Sequence, residues 1–253
     1  MAPRLLNKVC IITGTGGSMG RAAALKFAEE GAIIVGCDMN TANEAKTVEA
    51  VKAVNGEIVS LAPCDLTKQE SCEQVVNLAI ERYGRIDVLY NNASMAYFDW
   101  MDNIENETWY STIDQELNLV YLLTRAAWPH LKRTMGAIIN VGSINAWIGV
   151  APLPAIAHVA AKGGIVAMTR QLAMEGREAG IRVNSISPGV VETLQTAPFI
   201  KDRNWSDSML RKVMLGRFAQ PEEIVAVASF LASSEASYIT ATDIKVDGGM
   251  TAW

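Results

Sequence analysis

The sequence predicts an α/β fold in which one parallel sheet carries helices on both faces. Short apolar, β-branched runs alternate with amphipathic helical segments along the whole chain. The length of 253 residues suits one large domain or two small ones. Half of the residues are hydrophobic, which is enough for a sizeable core. Because no repeat, low-complexity tract or linker divides the chain, we expect a single domain spanning residues 1–253.

The first unit of this alternation is a strand, a glycine-rich turn and a helix. The apolar run 8–13 (KVCIIT) leads into the turn 14–20, and the helix 21–30 is closed by Gly31. In this context backbone N–H groups at a helix N-terminus can hold a pyrophosphate, and the glycines allow close approach. The unit therefore predicts a nucleotide-binding turn.

The second strand, residues 32–37, is followed directly by Asp38. An acid about 20 residues beyond such a turn can accept hydrogen bonds from an adenosine ribose. The alternative is that Asp38 caps the helix that begins near Thr41.

The alternation continues to the C-terminus. The remaining pattern predicts helices at 42–54, 68–83, 106–131, 158–179 and 221–231, and strands at 57–61, 86–90, 137–141, 182–186 and 244–246. Asp38, Asp65, Asn92 and Ser143 all come at or just beyond strand ends. Binding sites of doubly wound sheets lie beyond the carboxyl ends of the strands, so we expect these side chains to converge.

Segment 194–218 contains apolar residues without a clean period: Phe199, Trp205, Met209, Leu210, Met214 and Phe218. We interpret it as a mobile helical flap over an apolar pocket. Packing in the core or contact with another subunit would account for the same residues.

Composition narrows the choice of partners and compartment. A net charge of −5 and a pI near 5.2 argue against nucleic acid and anionic membranes. No apolar run reaches the ~20 residues of a membrane span, and residues 1–8 lack the apolar region of a signal peptide. Cys10, Cys37, Cys64 and Cys72 lack metal-ligand spacing. They predict buried free thiols, no metal site and a cytoplasmic location.

His158 and Lys162 are four residues apart on a predicted helix and therefore share one face. With the Ser143 hydroxyl at a strand end they make a plausible proton-transfer set. The alternative is a loop serine, a histidine at a helix N-terminus and a solvated lysine.

These features together resemble the short-chain dehydrogenase/reductase family over nearly the whole chain. The motifs that carry the resemblance are Thr13-Gly14 with Gly20, Asp65, Asn91-Asn92-Ala93, Gly142-Ser143, Lys162, Pro188-Gly189 with Thr193, and Asp247-Gly248-Gly249. The resemblance implies a Rossmann-like fold, a nicotinamide cofactor and a homotetramer.

By the same resemblance Asp65 would meet the adenine, Asn92 and Ala93 the adenosine ribose, Thr193 the carboxamide and Lys162 the nicotinamide ribose. The implied cofactor-binding set is Gly14, Ser18, Met19, Gly20, Asp38, Asp65, Leu66, Asn92, Ala93, Lys162, Pro188, Gly189, Val191 and Thr193.

The chain departs from the family pattern at the catalytic positions. His158 stands where the family has Tyr. The family's Asn lies seven residues after a Trp and thirteen before a Pro; counting from Trp109 and from Pro129 both lead to Glu116. Asn118 would take that position only if the helix register shifted by two residues.

Two glycines of the family pattern are also replaced, by Ser18 in the cofactor turn and by Ser94 after Asn-Asn-Ala. The gap between Ser143 and His158 is about two residues longer than usual. The expected catalytic set is therefore Ser143, Glu116, His158 and Lys162.

Histidine titrates near ~6.5, so His158 could exchange a proton with substrate at neutral pH while Ser143 polarises the substrate oxygen. We predict an oxidoreductase that interconverts a secondary alcohol and a ketone. Asp38 favours NAD, because its carboxylate would repel the 2′-phosphate of NADP. The alternatives are proton-transfer, elimination or addition chemistry without net redox, and a non-catalytic nucleotide-binding protein.

Four apolar or aromatic residues are expected in the substrate pocket: Met95, Tyr97, Trp147 and Leu153. Together with the 194–218 flap they predict a small, mostly apolar substrate.

Overall fold

A computed structural model describes residues 3–253 and confirms the α/β fold class. The described residues form a seven-stranded sheet in which every pairing is parallel. The strands are β1 (Val9–Thr13), β2 (Ile33–Cys37), β3 (Glu57–Leu61), β4 (Val88–Asn91), β5 (Ala137–Val141), β6 (Arg182–Pro188) and β7 (Asp243–Val246).

Helices cover both faces of this sheet. They are α1 (Ser18–Glu29), α2 (Thr41–Ala53), α3 (Gln69–Tyr83), α4 (Asn106–Ile113), α5 (Leu119–Thr134), α6 (Ile156–Gly176), α7 (Ala197–Lys201), α8 (Arg203–Leu210) and α9 (Pro221–Ala232). Successive strand residues point to opposite faces, so Cys10 and Ile12 join one buried core while Val9 and Ile11 join the other. The nearly uninterrupted apolar strands follow from this burial on both sides.

The strand order is β3-β2-β1-β4-β5-β6-β7. Successive strands are added on one side of β1 up to β3 and on its other side from β4 onward, so the order of addition switches between β1 and β4. Ligands of doubly wound sheets bind beyond the carboxyl ends of the strands at such a point. Thr13 ends β1 and Asn91 ends β4, and the predicted site residues therefore lie at this edge.

The long helix predicted over residues 106–131 is present, but it contains a wider turn and ends three residues later than predicted. The structure has α4, a five-residue π turn at Asp114–Asn118, and then α5, which ends at Thr134. In the π turn the N–H of Leu119 donates to the carbonyl of Asp114, five residues back. The wider turn carries Glu116 and buries its side chain.

The 194–218 segment is not solely a cover over a pocket. It contains α7 and α8, and its Met209, Val213 and Phe218 are buried in a small third core with Ile144 and Val150. The core-packing alternative therefore holds for the second half of the segment, whereas Leu194 and Phe199 remain exposed.

The structure also bears on the predictions for the cysteines and for the first helix. All four cysteines are free and buried, as predicted. Helix α1 begins at Ser18 rather than at residue 21, so the last residues of the glycine turn already form its first turn. Within residues 3–253, no helix has the length and apolar character needed to cross a membrane. In the same residues no group of three His, Cys, Asp or Glu side chains is arranged to hold a metal ion.

Candidate active site

The glycine-rich turn has the geometry of a close backbone approach. Gly14 has a φ of +72°, and a Cβ there would lie 3.0 Å from the Cα of Ala93. A Cβ on Gly20 would lie 2.0 Å from the Gly14 carbonyl oxygen. Helix α1 begins without a side-chain cap and without an acid in its first turn, which leaves its N-terminal N–H groups for an anion.

Asp38 packs against this turn. Its Oδ2 accepts a hydrogen bond from the Gly16 N–H at 2.9 Å, and its Oδ1 accepts one from the Asn40 N–H at 2.7 Å. Helix α2 is capped by Asn40, whose side chain accepts from the Asn43 N–H. The alternative reading of Asp38 as the helix cap is therefore wrong.

Asn92 and Ala93 are held next to the turn by Thr13. The Thr13 hydroxyl oxygen accepts from the Asn92 N–H at 2.9 Å and from the Ala93 N–H at 2.8 Å. The Asn92 side chain donates to the Thr13 carbonyl at 2.8 Å. Its Oδ1 is buried without a hydrogen-bond partner within residues 3–253. A buried acceptor of this kind suits a hydroxyl donor from a bound ligand.

The remaining residues of the expected cofactor-binding set lie around the same edge. Asp65 accepts from the N–H and hydroxyl of Thr67, and Leu66 beside it is buried. Pro188 ends β6, Gly189 lies against Asp247, and Val191 is buried. The hydroxyls of Thr193 and Thr196 are 3.1 Å apart. The turn, the free helix end and the unpartnered amide oxygen fit the phosphates and ribose of a dinucleotide.

Ser18 makes a contact that a glycine could not make. Its hydroxyl oxygen accepts a hydrogen bond at 3.1 Å from the N–H of Leu194, at the start of the flap segment. Met19 and Gly20 follow it in the first turn of α1. The flap segment is thus attached directly to the nucleotide-binding turn.

The buried carboxylate of Glu116 lies close to two other predicted catalytic residues, His158 and Lys162. Glu116 Oε2 lies 2.7 Å from Nδ1 of His158, and its Oε1 lies 3.6 Å from Nζ of Lys162. The Ser94 hydroxyl donates to Oε1 at 2.5 Å. Lys162 also donates to the Val141 carbonyl at 3.1 Å. We call Ser94, Glu116, His158 and Lys162 the carboxylate cluster.

The electrostatics of the cluster fix the protonation of Glu116. Its side chain is 1% exposed, and burial alone would raise its pKa. The charge of Lys162 and the hydrogen bonds from His158 and Ser94 outweigh that burial and hold the pKa at about 2. An ionised carboxylate only accepts hydrogen bonds, so Nδ1 of His158 must carry a proton. In the neutral ring the lone pair then lies on Nε2.

Ser143 and Asn118 occupy different surroundings. Ser143 follows β5, and its hydroxyl oxygen accepts from the Asn145 N–H at 3.1 Å. In the described part of the chain it makes no hydrogen bond to His158. Asn118 is exposed, and its side chain donates to Asp114 at 2.6 Å. The position beside His158 and Lys162 is thus taken by Glu116 and not by Asn118.

The expected pocket residues are not all brought together. Met95 and Tyr97 lie on the segment after β4, and Gln195 of the flap donates to the Met95 sulfur at 3.8 Å. The Trp147 indole N–H donates to Asp243 of β7 at 2.9 Å, and Nζ of Lys245 lies 3.9 Å from the centre of its ring. Its place in a substrate pocket stays a prediction. Leu153 is half-buried in the loop before α6.

Phe98 was not among the predicted site residues, yet its ring is 5.8 Å from the His158 ring in an edge-on contact. Phe199 of α7 lies 6.5 Å from Phe98, and Trp205 of α8 lies 5.7 Å from Phe199. Aromatic rings therefore run from His158 into the flap segment. The aromatic run Tyr97-Phe98 beside the predicted pocket residue Met95 was the available signal.

Comparison with known proteins identifies the family. A family model described as enoyl-(acyl carrier protein) reductase matches residues 14–251. A 3-oxoacyl-(acyl-carrier-protein) reductase of Thermotoga maritima is 34% identical over 249 residues, covering 98% of this chain and 99% of the relative. The chain belongs to the short-chain dehydrogenase/reductase family. The meso-2,3-butanediol dehydrogenase of Serratia marcescens is 36% identical over 249 residues, covering 98% of this chain and 96% of the relative.

Solved structures of the family agree. A short-chain type dehydrogenase/reductase from Mycobacterium marinum superimposes with a TM-score of 0.94 at 27% identity, covering 100% of this chain and 98% of the other. The chain is accordingly an oxidoreductase of a family that uses nicotinamide cofactors, NAD or NADP.

Within this short-chain dehydrogenase/reductase, three departures from the expected family pattern contact one another. By the resemblance drawn from the sequence, Ser94 stands where a glycine is expected, Glu116 where an asparagine is expected and His158 where a tyrosine is expected. The three side chains are joined by hydrogen bonds, Ser94 to Glu116 at 2.5 Å and His158 to Glu116 at 2.7 Å.

Proposed function

We propose that the protein is an NAD-dependent oxidoreductase that interconverts a secondary alcohol and a ketone, with His158 moving the proton. The observation that carries the proposal is the 2.7 Å contact between His158 and an ionised Glu116 next to the nucleotide-binding turn. A buried carboxylate–imidazole pair at this place is suited to general acid–base catalysis near neutral pH.

In the oxidation direction, Nε2 of His158 accepts the hydroxyl proton of the alcohol. Glu116 keeps the other ring nitrogen protonated and stabilises the imidazolium that forms. In the reverse direction the imidazolium returns the proton to the ketone oxygen. Glu116 and Lys162 are the charged groups of the described chain that face His158, from the π turn and from α6.

The other residues bind and orient. Ser143 donates its hydroxyl hydrogen to the substrate oxygen and stabilises negative charge there. Lys162, buried and bonded to the end of β5, would hold the ribose of the nicotinamide half. When bound, the nicotinamide would supply the hydride acceptor or donor. Gly14, Gly20 and the start of α1 would hold the pyrophosphate.

The preference for NAD rests on Asp38. Its carboxylate faces the nucleotide-binding turn, where a 2′-phosphate would meet a negative charge. The nearest basic side chain of the turn, Arg21, donates instead to Thr47 and to the Asn43 carbonyl. Arg21 is therefore engaged with α2 and is not free to neutralise such a phosphate.

The aromatic side chains near His158 favour an apolar substrate. Phe98 borders the imidazole, Phe199 packs edge-on against Phe98, and both rings are partly exposed. Met95 contacts Gln195 of the flap segment. We propose that the first part of the segment, residues 194–202, moves to admit substrate, while its buried second half stays in place. We also propose a homotetramer, as the family resemblance implies.

The test is a spectrophotometric assay with NAD and a panel of aliphatic, alicyclic and aryl secondary alcohols. The proposal expects NADH absorbance to rise in a 1:1 ratio to ketone formed. Conversion of substrate without any change in NADH would instead indicate proton-transfer or elimination chemistry. Tight nucleotide binding without turnover of any alcohol or ketone would indicate a non-catalytic protein. Either result would overturn the proposal.

A further inference from the structure

Ser94 follows the end of β4 on a backbone that is held on several sides. The preceding residue, Ala93, donates its N–H to the Thr13 hydroxyl at 2.8 Å. The following residue, Met95, donates its N–H to the Gln115 carbonyl at 3.3 Å. The Ser94 carbonyl accepts a hydrogen bond from the Gln195 side chain at 3.3 Å. Its hydroxyl is therefore presented to Glu116 from a fixed position.

Two donors lie near the same oxygen of Glu116. The Ser94 hydroxyl is 2.5 Å from Oε1, whereas Nζ of Lys162 is 3.6 Å from it, beyond hydrogen-bond distance. A buried ammonium attracts a carboxylate more strongly than a neutral imidazole does. The bond to Ser94 holds Oε1 in place and leaves Oε2 at 2.7 Å from His158.

We propose that Ser94 is a positioning residue whose hydroxyl holds the Glu116 carboxylate in the orientation that keeps the proton on Nδ1 of His158. The inference rests on the proposed role of His158 as the proton-transferring residue. A glycine at position 94, as in the family pattern, has no group for this task. Without the hydroxyl, Oε1 loses its hydrogen-bond donor, and the carboxylate turns toward the positive charge of Lys162, 3.6 Å away.

The first measurement is independent of activity. The chain contains two histidines, so the imidazole nitrogens of the full-length protein labelled with 15N-histidine give few NMR signals, which His130→Gln assigns. We expect neutral His158 to carry its proton on Nδ1 in the wild-type protein. In Ser94→Ala and Ser94→Gly the Nε2-protonated form should gain population, and Ser94→Thr, which keeps the hydroxyl, should restore the wild-type signals.

The second measurement is the rate of alcohol oxidation. In Ser94→Ala, kcat should fall by about 10- to 100-fold, which corresponds to losing one hydrogen bond to a charged group. The KM for NAD should stay within about twofold, because Ser94 contacts Glu116 and not the nucleotide-binding turn. Ser94→Thr should recover most of the loss. Ser71→Ala on α3, outside the cluster, is the matched control.

The outcomes separate this inference from the proposed function. A tautomer shift together with a lower kcat in Ser94→Ala and Ser94→Gly supports it. Wild-type tautomer signals in both variants overturn it, and so does an unchanged kcat. If His158→Ala retains full activity, the proposed function fails, whatever the Ser94 variants show.

Discussion

Glu116→Gln removes the negative charge beside His158 and preserves the shape of the side chain. The Gln amide oxygen can still accept the hydrogen bond from Nδ1, so the change isolates the charge from the contact. The carboxylate lies 2.7 Å from the ring, where its negative charge favours the imidazolium. Losing that charge disfavours the imidazolium, while Lys162 remains nearby. We therefore expect the limb of the activity profile, the pH range over which activity is lost, to move downward.

The assay is the pH profile of kcat/KM for alcohol oxidation, followed by NADH absorbance. Oxidation needs the neutral imidazole and is lost at low pH, so the variant should stay active to lower pH than the wild type. In the reduction direction, which needs the imidazolium, activity should be lost at a lower pH. Glu107→Gln, an exposed carboxylate in the first turn of α4, changes the net charge equally and serves as the control.

The prediction would be refuted if Glu116→Gln loses oxidation activity at the same pH as the wild type, or at a higher pH. An unchanged limb would mean that His158 does not control the profile, or that Glu116 is not ionised beside it. A shift of the same size in Glu107→Gln would mean that the effect is the general charge of the protein.

Further predictions concern the cofactor, the turn, acid stability and assembly. Asp38→Ala should narrow the preference for NAD over NADP, measured by fluorescence titration with both cofactors. Gly20→Ala should lower the free energy of unfolding by about 1–3 kcal/mol, because its Cβ meets the Gly14 carbonyl, whereas Gly163→Ala, with open space around it, should not. Since the folded pKa of Glu116 is about 2 against 4.5, its stabilising contribution is present above pH 4.5 and lost as pH falls toward 2. Urea unfolding of the wild type and Glu116→Gln should therefore converge over that interval. Light scattering at micromolar concentration should give four times the 27.4 kDa chain mass, and a monomer would contradict the tetramer.

The alternation of strands and helices could be predicted from the sequence, because each strand is a short apolar run bounded by turn residues. The convergence of Asp38, Asn92 and Ser143 followed from parallel strands, whose carboxyl ends meet at one edge. The position of Glu116 against His158 could be anticipated only by counting from Trp109 and Pro129. No local pattern indicated the π turn that carries it, since such turns depend on tertiary packing.

Side-chain contacts between segments that are distant along the chain could not be predicted from the sequence. Ser94 and Glu116 are 22 residues apart, and nothing in either neighbourhood indicates that they share a hydrogen bond. Trp147 and Asp243 are 96 residues apart, and no local pattern indicates the hydrogen bond between them. The sequence left core packing of the flap segment open, because the small core that Met209, Val213 and Phe218 form with Ile144 and Val150 has no periodicity of its own.

The most direct test of the account is the pH profile of alcohol oxidation by His158→Ala, with cofactor affinity measured alongside. We predict a turnover about 10²–10⁴-fold below the wild type, the range for losing a general base, with the acidic limb abolished. NAD affinity should change little, because the glycine turn and Lys162 are expected to carry that binding. Retention of most of the activity, with the limb unchanged, would contradict the account. That result would indicate that Tyr97 or a water on Lys162 supplies the proton instead.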